Sequence, residues 1–419
     1  MSREKQKTLK GMQDILPADI TLWQKIEAAA RSIFHSYGFQ EIRTPILEAT
    51  GVFTRSIGEN TDIVEKEMYT FTDKGDRSVS MRPEGTASVV RSYAEHSLQG
   101  LPSPLKLFYM GPMFRYERPQ SGRLRQFHQI GVEAFGDTGP RIDAEVIAML
   151  SRLLNEIGLE EISFQLNSIG CPDCRPGYRD ALLSFFGTRK DELCEDCRRR
   201  YDSNPLRILD CKSKTCIELR RGAPMISDHL CGSCMGHFRE LRSMLDILGV
   251  RYGINHEMVR GLDYYTKTIF EVTSTNLGAQ NAVAAGGRYD RLVEEFGGPQ
   301  TPAIGFAIGM ERIIELLKKS GTCSTPSPRL FIAVMGKSAE MSGLRIAEEL
   351  RKKGQWVELG DASASIKSQM RKADRLSSEY VIVIGDEEIS SGDVRWKRLS
   401  DSAQGNIRID KIAGIIETQ

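Results

Sequence analysis

The chain has almost no net charge, and it lacks long apolar runs and a dinucleotide fingerprint. Its 57 basic and 56 acidic residues leave a formal charge of +1 over 419 residues. No global positive field therefore advertises nucleic acid, and such contacts must come from local patches. No apolar run approaches the length of a membrane span. The first residues, MSREKQKTLKGMQDILP, have no apolar h-region and do not read as a secretory signal. No G-x-G-x-x-G follows a strand, and no internal repeat or low-complexity tract is present. What remains is an ordinary globular composition, 40% hydrophobic and 27% charged, long enough for two or three domains. The expected location is the cytoplasm, with no membrane contact. There the nine cysteines are thiols or metal ligands rather than disulfides.

Pattern divides the chain. Residues 1–170 alternate helix and strand signals, with an amphipathic helix over Ile20–Tyr37. Residues 171–250 hold eight of the nine cysteines, many arginines and few strand signals, which predicts a helical insertion. Strand patterns return over 251–321, ending in a helix from Met310 to Lys319. A Ser/Pro-rich linker at 322–328 precedes residues 329–419, where a βαβαβ alternation predicts a small, mostly parallel α/β domain.

The most telling stretch is GPMFRYERPQSGRLRQFHQIGVEAFG, Gly111 to Gly136. It reads as two strands around a turn at Pro119–Gly122. Alternation puts Arg115 and Glu117 on one face of the first strand. On the second it puts Arg125, Gln129 and Glu133 together, with Leu124, Ile130 and Val132 opposite. Such a face is either solvated or a concave site for an anion beside a polar small molecule. His128 faces away from Gln129 and reads as structural. Met81-Arg82-Pro83-Glu84-Gly85-Thr86 follows a strand and opens a helix, so Glu84 and Thr86 either cap that helix or receive a substrate ammonium. Arg260-Gly261-Leu262-Asp263-Tyr264-Tyr265 precedes another strand, with a glycine that permits close approach and two flat aromatic walls. Gly286-Gly287-Arg288-Tyr289 is a glycine-rich loop without the Gly-Lys-Ser/Thr of a P-loop. Gly305-Phe306-Ala307-Ile308-Gly309-Met310-Glu311-Arg312 places small residues on a strand and an arginine at a helix start.

In this order the segments resemble the class II aminoacyl-tRNA synthetases. The hairpin is similar to their motif 2, and Gly305–Arg312 to motif 3. Arg43-Thr44-Pro45-Ile46-Leu47 resembles the start of motif 1, which in that class lies at the dimer interface. Arg260–Tyr265 and Gln126–Glu133 resemble the two histidine-specific motifs of the histidyl-tRNA synthetase family, of bacterial type. The resemblance runs from about Gly11 to the C-terminus. It implies an α/β (α+β) fold, with an antiparallel-sheet catalytic core, a helical insertion reaching toward the tRNA acceptor stem, and a C-terminal α/β anticodon-binding domain. It also implies a homodimer that joins L-histidine to ATP and passes the histidyl group to the 3′ end of tRNA(His).

Residue by residue, the resemblance gives Arg115 and Arg260 the α-phosphate of ATP, with Arg115 also on the histidine carboxylate. Arg123 and Arg312 take the β/γ end, with Mg²⁺ bridging pyrophosphate oxygens. Glu84 and Thr86 receive the α-amino group, Gln129 orients the histidine backbone, and Glu133 and Tyr265 read the imidazole. Tyr264, Arg288 and Tyr289 line the pocket. In the C-terminal domain, Arg351–Lys353, Arg371-Lys372 with Arg375, and Arg395 with Lys397-Arg398 are either phosphate contacts or solvated faces. A regulatory paralogue would typically lack that domain and have eroded arginines, which this chain keeps. Arg-Gly-Leu-Asp-Tyr-Tyr argues against a threonyl or prolyl enzyme.

The cysteines depart from the family's pattern. Cys171-x-x-Cys174, Cys194-x-x-Cys197 and Cys231-x-x-Cys234, with Cys211 and Cys216, have zinc-site spacing. A metal is not general in that family. The two readings are buried reduced thiols and a structural, non-catalytic Zn²⁺ site on Cys194, Cys197, Cys231 and Cys234.

Overall fold

A computed structural model describes residues 5–58, 61, 63–120, 122–262, 264–277, 281–319 and 326–416. Ser121 of the expected turn, Asp263 of the Arg260 motif, and most of the expected linker lie outside the described residues. Contacts divide the chain into two units, Met1–Cys323 and Ser324–Gln419. Among the described residues no helix is long and apolar enough to cross a membrane.

The first unit is built on an eight-stranded sheet. Its middle is antiparallel: Leu105–Phe114, Gln126–Phe135, Ala303–Gly309, Ala282–Arg288, Thr266–Thr273 and Ser163–Ser168 follow in spatial order. Short parallel strands, Gln40–Glu41 and Tyr252–Ile254, close the two edges. Period-two alternation gives the sheet two different faces. Ile130, Val132 and Ala134 join a large apolar core with the helices Pro17–Ser36, Pro140–Glu156 and Met310–Lys319. Gln129, Gly131 and Glu133 point the other way. Pro17 starts the first helix, where its missing N–H costs nothing, and Gly38 at φ +82° turns the chain out of it.

The expected hairpin pairs from Leu105↔Phe135 to Phe114↔Gln126. Its strands end there. Arg115, Glu117 and Arg125 therefore lie beyond the ladder, in the loop on either side of the turn, and the strict alternation expected for them does not hold. Arg125 instead lays its guanidinium 3.7 Å over the Tyr116 ring and donates to the Glu117 carbonyl. It does not share the row of Gln129 and Glu133.

Residues 171–250 contain no strand among those described. Arg175–Gly187, Glu195–Ser203 and Lys214–Leu219 are helices around a separate small core that includes Tyr178, Leu182, Phe186 and Ile208. The last helix, Gly232–Ile247, returns to the large apolar core, where Leu241 and Leu245 are fully buried.

Behind the sheet sits a buried ion pair. Arg288 and Asp143 are both fully buried. Arg288 Nη2 donates to Asp143 Oδ1 at 2.5 Å, and its other N–H groups reach the carbonyls of Asp137 and Gly139. Thr268 donates to the same carboxylate at 2.7 Å. Burial pushes His237, 3.6 Å from Asp143, down to about 4, so it is neutral at pH 7. Arg288 thus ties a helix to two strands and does not line the pocket, contrary to expectation. Tyr289, the residue just past the end of the strand, takes the pocket side.

The second unit has five strands in the order Val357–Leu359, Leu330–Val334, Tyr380–Ile384, Asp393–Arg398, Gln404–Arg408. The first three are parallel, as the βαβαβ pattern predicts. The last two form an antiparallel hairpin that the pattern missed. Arg395, Lys397 and Arg398 lie on it.

Arg288→Ala leaves the Asp143 carboxylate buried with the Thr268 hydroxyl as its hydrogen-bond donor and no guanidinium facing it; His237, 3.6 Å away, is neutral. The expected cost is about 3–5 kcal/mol of unfolding free energy, measured by urea denaturation. A change under about 1 kcal/mol would show that the pair is not a structural staple.

Candidate active site

A cavity of about 490 Å³ lies on the sheet face opposite the helices Pro17–Ser36 and Pro140–Glu156, within the range of small-molecule sites. Its lining brings together Glu84, Thr86, Gln129, Glu133, Tyr264, Tyr265 and Tyr289 at one end. Arg115, Arg123, Arg260 and Arg312 line it as well. Of the expected site residues outside the cysteines, Arg288 alone is elsewhere.

Glu133 is 1% exposed and stands opposite Gly305 in the pairing of Gln126–Phe135 with Ala303–Gly309. A Cβ at Gly305 would sit 1.9 Å from its Oε2, so glycine is required there by the carboxylate itself. Thr86 Oγ1 donates to Oε1 at 2.7 Å and Tyr289 Oη to Oε2 at 2.5 Å. Tyr289 is thus a tyrosine partner of this carboxylate, a contact the sequence did not suggest. Burial pushes Glu133 up to about 8, opposed by the hydroxyls of Tyr289, Thr86 and Tyr109 and helped by the nearby Glu84. Glu84 is raised too, again by burial first. Its carboxylate caps the helix Thr86–Glu95, accepting from the Thr86 and Ala87 amides at 2.7 and 2.8 Å. The capping reading is therefore realised, inside the pocket lining. Gln129 Oε1 is buried without a protein partner, an acceptor for a ligand N–H. Tyr264 packs on Tyr265 and Tyr289, with ring centroids 4.7 and 5.5 Å apart.

The arginine groups are held from behind. Arg115 Nε donates to the Pro83 carbonyl at 2.8 Å, and its guanidinium lies 5.3 Å over Phe127. Glu117, nearly buried, holds Arg123 at 2.5 Å and lies 3.9 Å from Arg115. Arg260 pairs with Glu271, and Arg312 donates to the Ala282 carbonyl. Burial lowers the Arg312 pKa, and the nearby Arg123 lowers it further. Crowded cations of this kind are relieved by a bound anion.

Sequence reasoning missed several cavity residues. Glu271 and Glu311 line it. Glu311 also accepts from the His128 amide and lies 3.0 Å from His128 Nδ1, which makes His128 structural as expected. A glutamate between Phe270 and Val272 in an apolar strand was a usable signal. Asp210 and Lys212 of the insertion also line the cavity, and no local pattern could have placed them there. The expected cysteine quartet is not assembled. Cys194 and Cys197 meet Cys211 and Cys216, whereas Cys231 and Cys234 meet Cys171 and Cys174.

An antiparallel sheet carrying an arginine hairpin, with a motif 3 strand and helix beside it, defines a class II aminoacyl-tRNA synthetase. The family model described as Histidyl-tRNA synthetase matches residues 11–173 and 216–313, and the Anticodon binding domain model matches 329–419. The histidine–tRNA ligase of Trichlorobacter lovleyi is 55% identical over 402 residues, 96% of each chain. That of Thermodesulfovibrio yellowstonii is 52% identical over 408 residues, 97% of each. The crystal structure of apo Staphylococcus aureus histidyl-tRNA synthetase superposes with a TM-score of 0.82 at 37% identity, covering 98% of this chain and 100% of that one. The chain belongs to the histidyl-tRNA synthetase family.

Folded Glu133 keeps its proton to about pH 8, whereas an unfolded glutamate loses it near 4.5. Between those values the folded state binds more protons, so this group's contribution to stability falls as pH rises and levels off above about 8. Glu133→Gln should therefore raise Tm relative to the parent at pH 8–9, with the difference vanishing below about pH 4.5. A difference independent of pH in thermal melts would overturn the burial argument.

Proposed function

We infer that this chain activates L-histidine with ATP to histidyl-adenylate and pyrophosphate, then transfers the histidyl group to the 3′ end of tRNA(His). One observation carries the reading: a single cavity joins a buried carboxylate with phenolic walls to four arginines. Neutral imidazole presents one N–H and one acceptor nitrogen. The Glu133 carboxylate suits the N–H, and a phenol of Tyr264 or Tyr265 suits the nitrogen. A site built on such pairs rejects side chains that leave it unpaired. Glu84 and Thr86 suit the α-ammonium, and the free Gln129 acceptor suits the backbone of the amino acid.

The histidine carboxylate attacks the α-phosphorus of ATP in line, and pyrophosphate leaves. No proton moves in this step. Negative charge gathers on the α-phosphate oxygens, so Arg115 and Arg260 act by fixed charge rather than by acid–base chemistry. Arg123 and Arg312 suit the β/γ end. Mg²⁺ would share that end with the phosphates. Glu117, Glu271 and Glu311 put carboxylate oxygens in the same lining, the ligand type this ion takes. When bound it neutralises charge on the departing pyrophosphate.

The assembly reading is a cytoplasmic homodimer. Ile46, Leu47 and Phe71 are exposed on or beside the small sheet of Leu47–Ala49, Ser78–Met81 and Thr70–Thr72, and apolar exposure of this kind supports a partner surface. None of the described cysteines forms a disulfide, in keeping with a reducing compartment.

Amino-acid-dependent exchange of pyrophosphate into ATP tests the assignment. Histidine should support it and the other amino acids should not. Exchange with proline or threonine but not histidine would overturn it. Arg260→Gln should lower kcat about 10²–10³-fold, with the KM for histidine changed far less. An unaltered rate would remove Arg260 from the reaction.

A further inference from the structure

The eight described cysteines converge as two separate quartets. Cys171, Cys174, Cys231 and Cys234 form one, and Cys194, Cys197, Cys211 and Cys216 the other, with the sulfurs of each within 4.8 Å of one another. Cys171 Sγ lies 3.6 Å from Cys174 and 3.9 Å from Cys231, and Cys194 Sγ lies 3.7 Å from Cys211. A disulfide needs about 2.05 Å. Four thiolates about 2.3 Å from a tetrahedral zinc ion have sulfur–sulfur edges of about 3.8 Å. The observed spacings match those edges.

The backbone around the sulfurs is arranged for thiolates. The Cys231 amide donates to Cys174 Sγ at 3.1 Å, the Cys194 amide to Cys216 Sγ at 3.4 Å, and the Ser213 amide to Cys211 Sγ at 3.5 Å. Cys194 and Cys231 immediately precede helices, Glu195–Ser203 and Gly232–Ile247, where N-terminal amides favour negative charge. We propose that each quartet binds one tetrahedral Zn²⁺, and that the second ion positions a wall of the catalytic cavity.

The two ions have different work. The first quartet joins both ends of the insertion: Cys171 and Cys174 follow the strand Ser163–Ser168, and Cys231 and Cys234 open the helix that returns to the core. It closes a long loop at its base, with the stabilisation expected of a cross-link. The second quartet sits in the insertion's own small core. Its ligand Cys211 lies between Asp210 and Lys212, which both line the catalytic cavity. Arg207, on the same segment, donates to the Arg260 carbonyl at 2.8 Å. Fixing Cys211 therefore fixes charges on the active-site wall and the backbone that carries Arg260. The positioning role rests on the histidine-activation reading, whereas metal binding rests on the sulfur geometry alone.

The test uses the full-length protein purified without chelator or added metal. Elemental analysis should find two zinc ions per chain. Protein loaded with Co²⁺ alone should show the thiolate charge-transfer and intense visible bands of tetrahedral sulfur coordination, at two ions per chain. Folded protein with eight titratable thiols and no bound ion would overturn the proposal, and iron in the sites would overturn the zinc assignment. Cys216→Ser should retain one ion and lower the kcat of histidine-dependent exchange at least tenfold, with little change in the KM for histidine. Cys216→His, which keeps a ligand, should restore both the second ion and the rate. Loss of the ion with parental kcat would overturn the positioning role. Should Cys216→Ser fail to fold, the ion count and cobalt spectrum of the parent still decide metal binding. Two ions without any histidine-dependent exchange would sink the catalytic assignment and leave the metal sites standing.

Discussion

The register between Gln126–Phe135 and Ala303–Gly309 is the constraint on which the rest of the active site depends. It sets Glu133 opposite Gly305 and Gln129 opposite Gly309. A one-residue slip would turn Glu133 into the apolar core and bring Val132 into the cavity. The register is defended from both sides. Ile130 and Val132 are buried in the core behind the sheet. In front, a side chain at Gly305 would meet Glu133 Oε2 at 1.9 Å and the Val132 carbonyl at 2.2 Å. The same strand runs straight into the helix Met310–Lys319, which carries Arg312. One pairing therefore fixes the distance between the group suited to imidazole and a group suited to phosphate.

What was legible in the sequence was local. Period-two alternation correctly separated Gln129 and Glu133 from Ile130 and Val132, because those residues sit inside a regular ladder. It failed for Arg125, which lies beyond the last pair, Phe114↔Gln126, where no pleat dictates direction. What failed for Arg288 was the pocket role implied by the resemblance: it ends the strand Ala282–Arg288 on the buried face, while the next residue, Tyr289, lines the cavity. The partner that claims Arg288, Asp143, is distant in sequence and gave no signal of its own.

The cysteines show the same limit. A spacing of three identifies a knuckle, because the turn between the residues brings two sulfurs together whatever the tertiary fold. It says nothing about which knuckle meets which. The chain folds back so that the first pair meets the last, and the middle pair takes two single cysteines. The charges on Asp210 and Lys212 reach the cavity only because of that fold-back. The family model matches on either side of residues 174–215 and not within them.

Two buried carboxylates, both raised by burial, show how one fold separates stability from recognition. Asp143 is answered by the full charge of Arg288. That pair is closed, since three backbone or side-chain acceptors take the remaining guanidinium N–H groups. Glu133 accepts instead from the neutral hydroxyls of Thr86 and Tyr289. Two neutral donors orient a carboxylate without neutralising it. An arginine there would have claimed the carboxylate oxygens and left nothing for an imidazole N–H to do. The cost of the choice is a group reluctant to ionise below about pH 8, and a ligand that donates to it is what shifts the balance back toward the carboxylate.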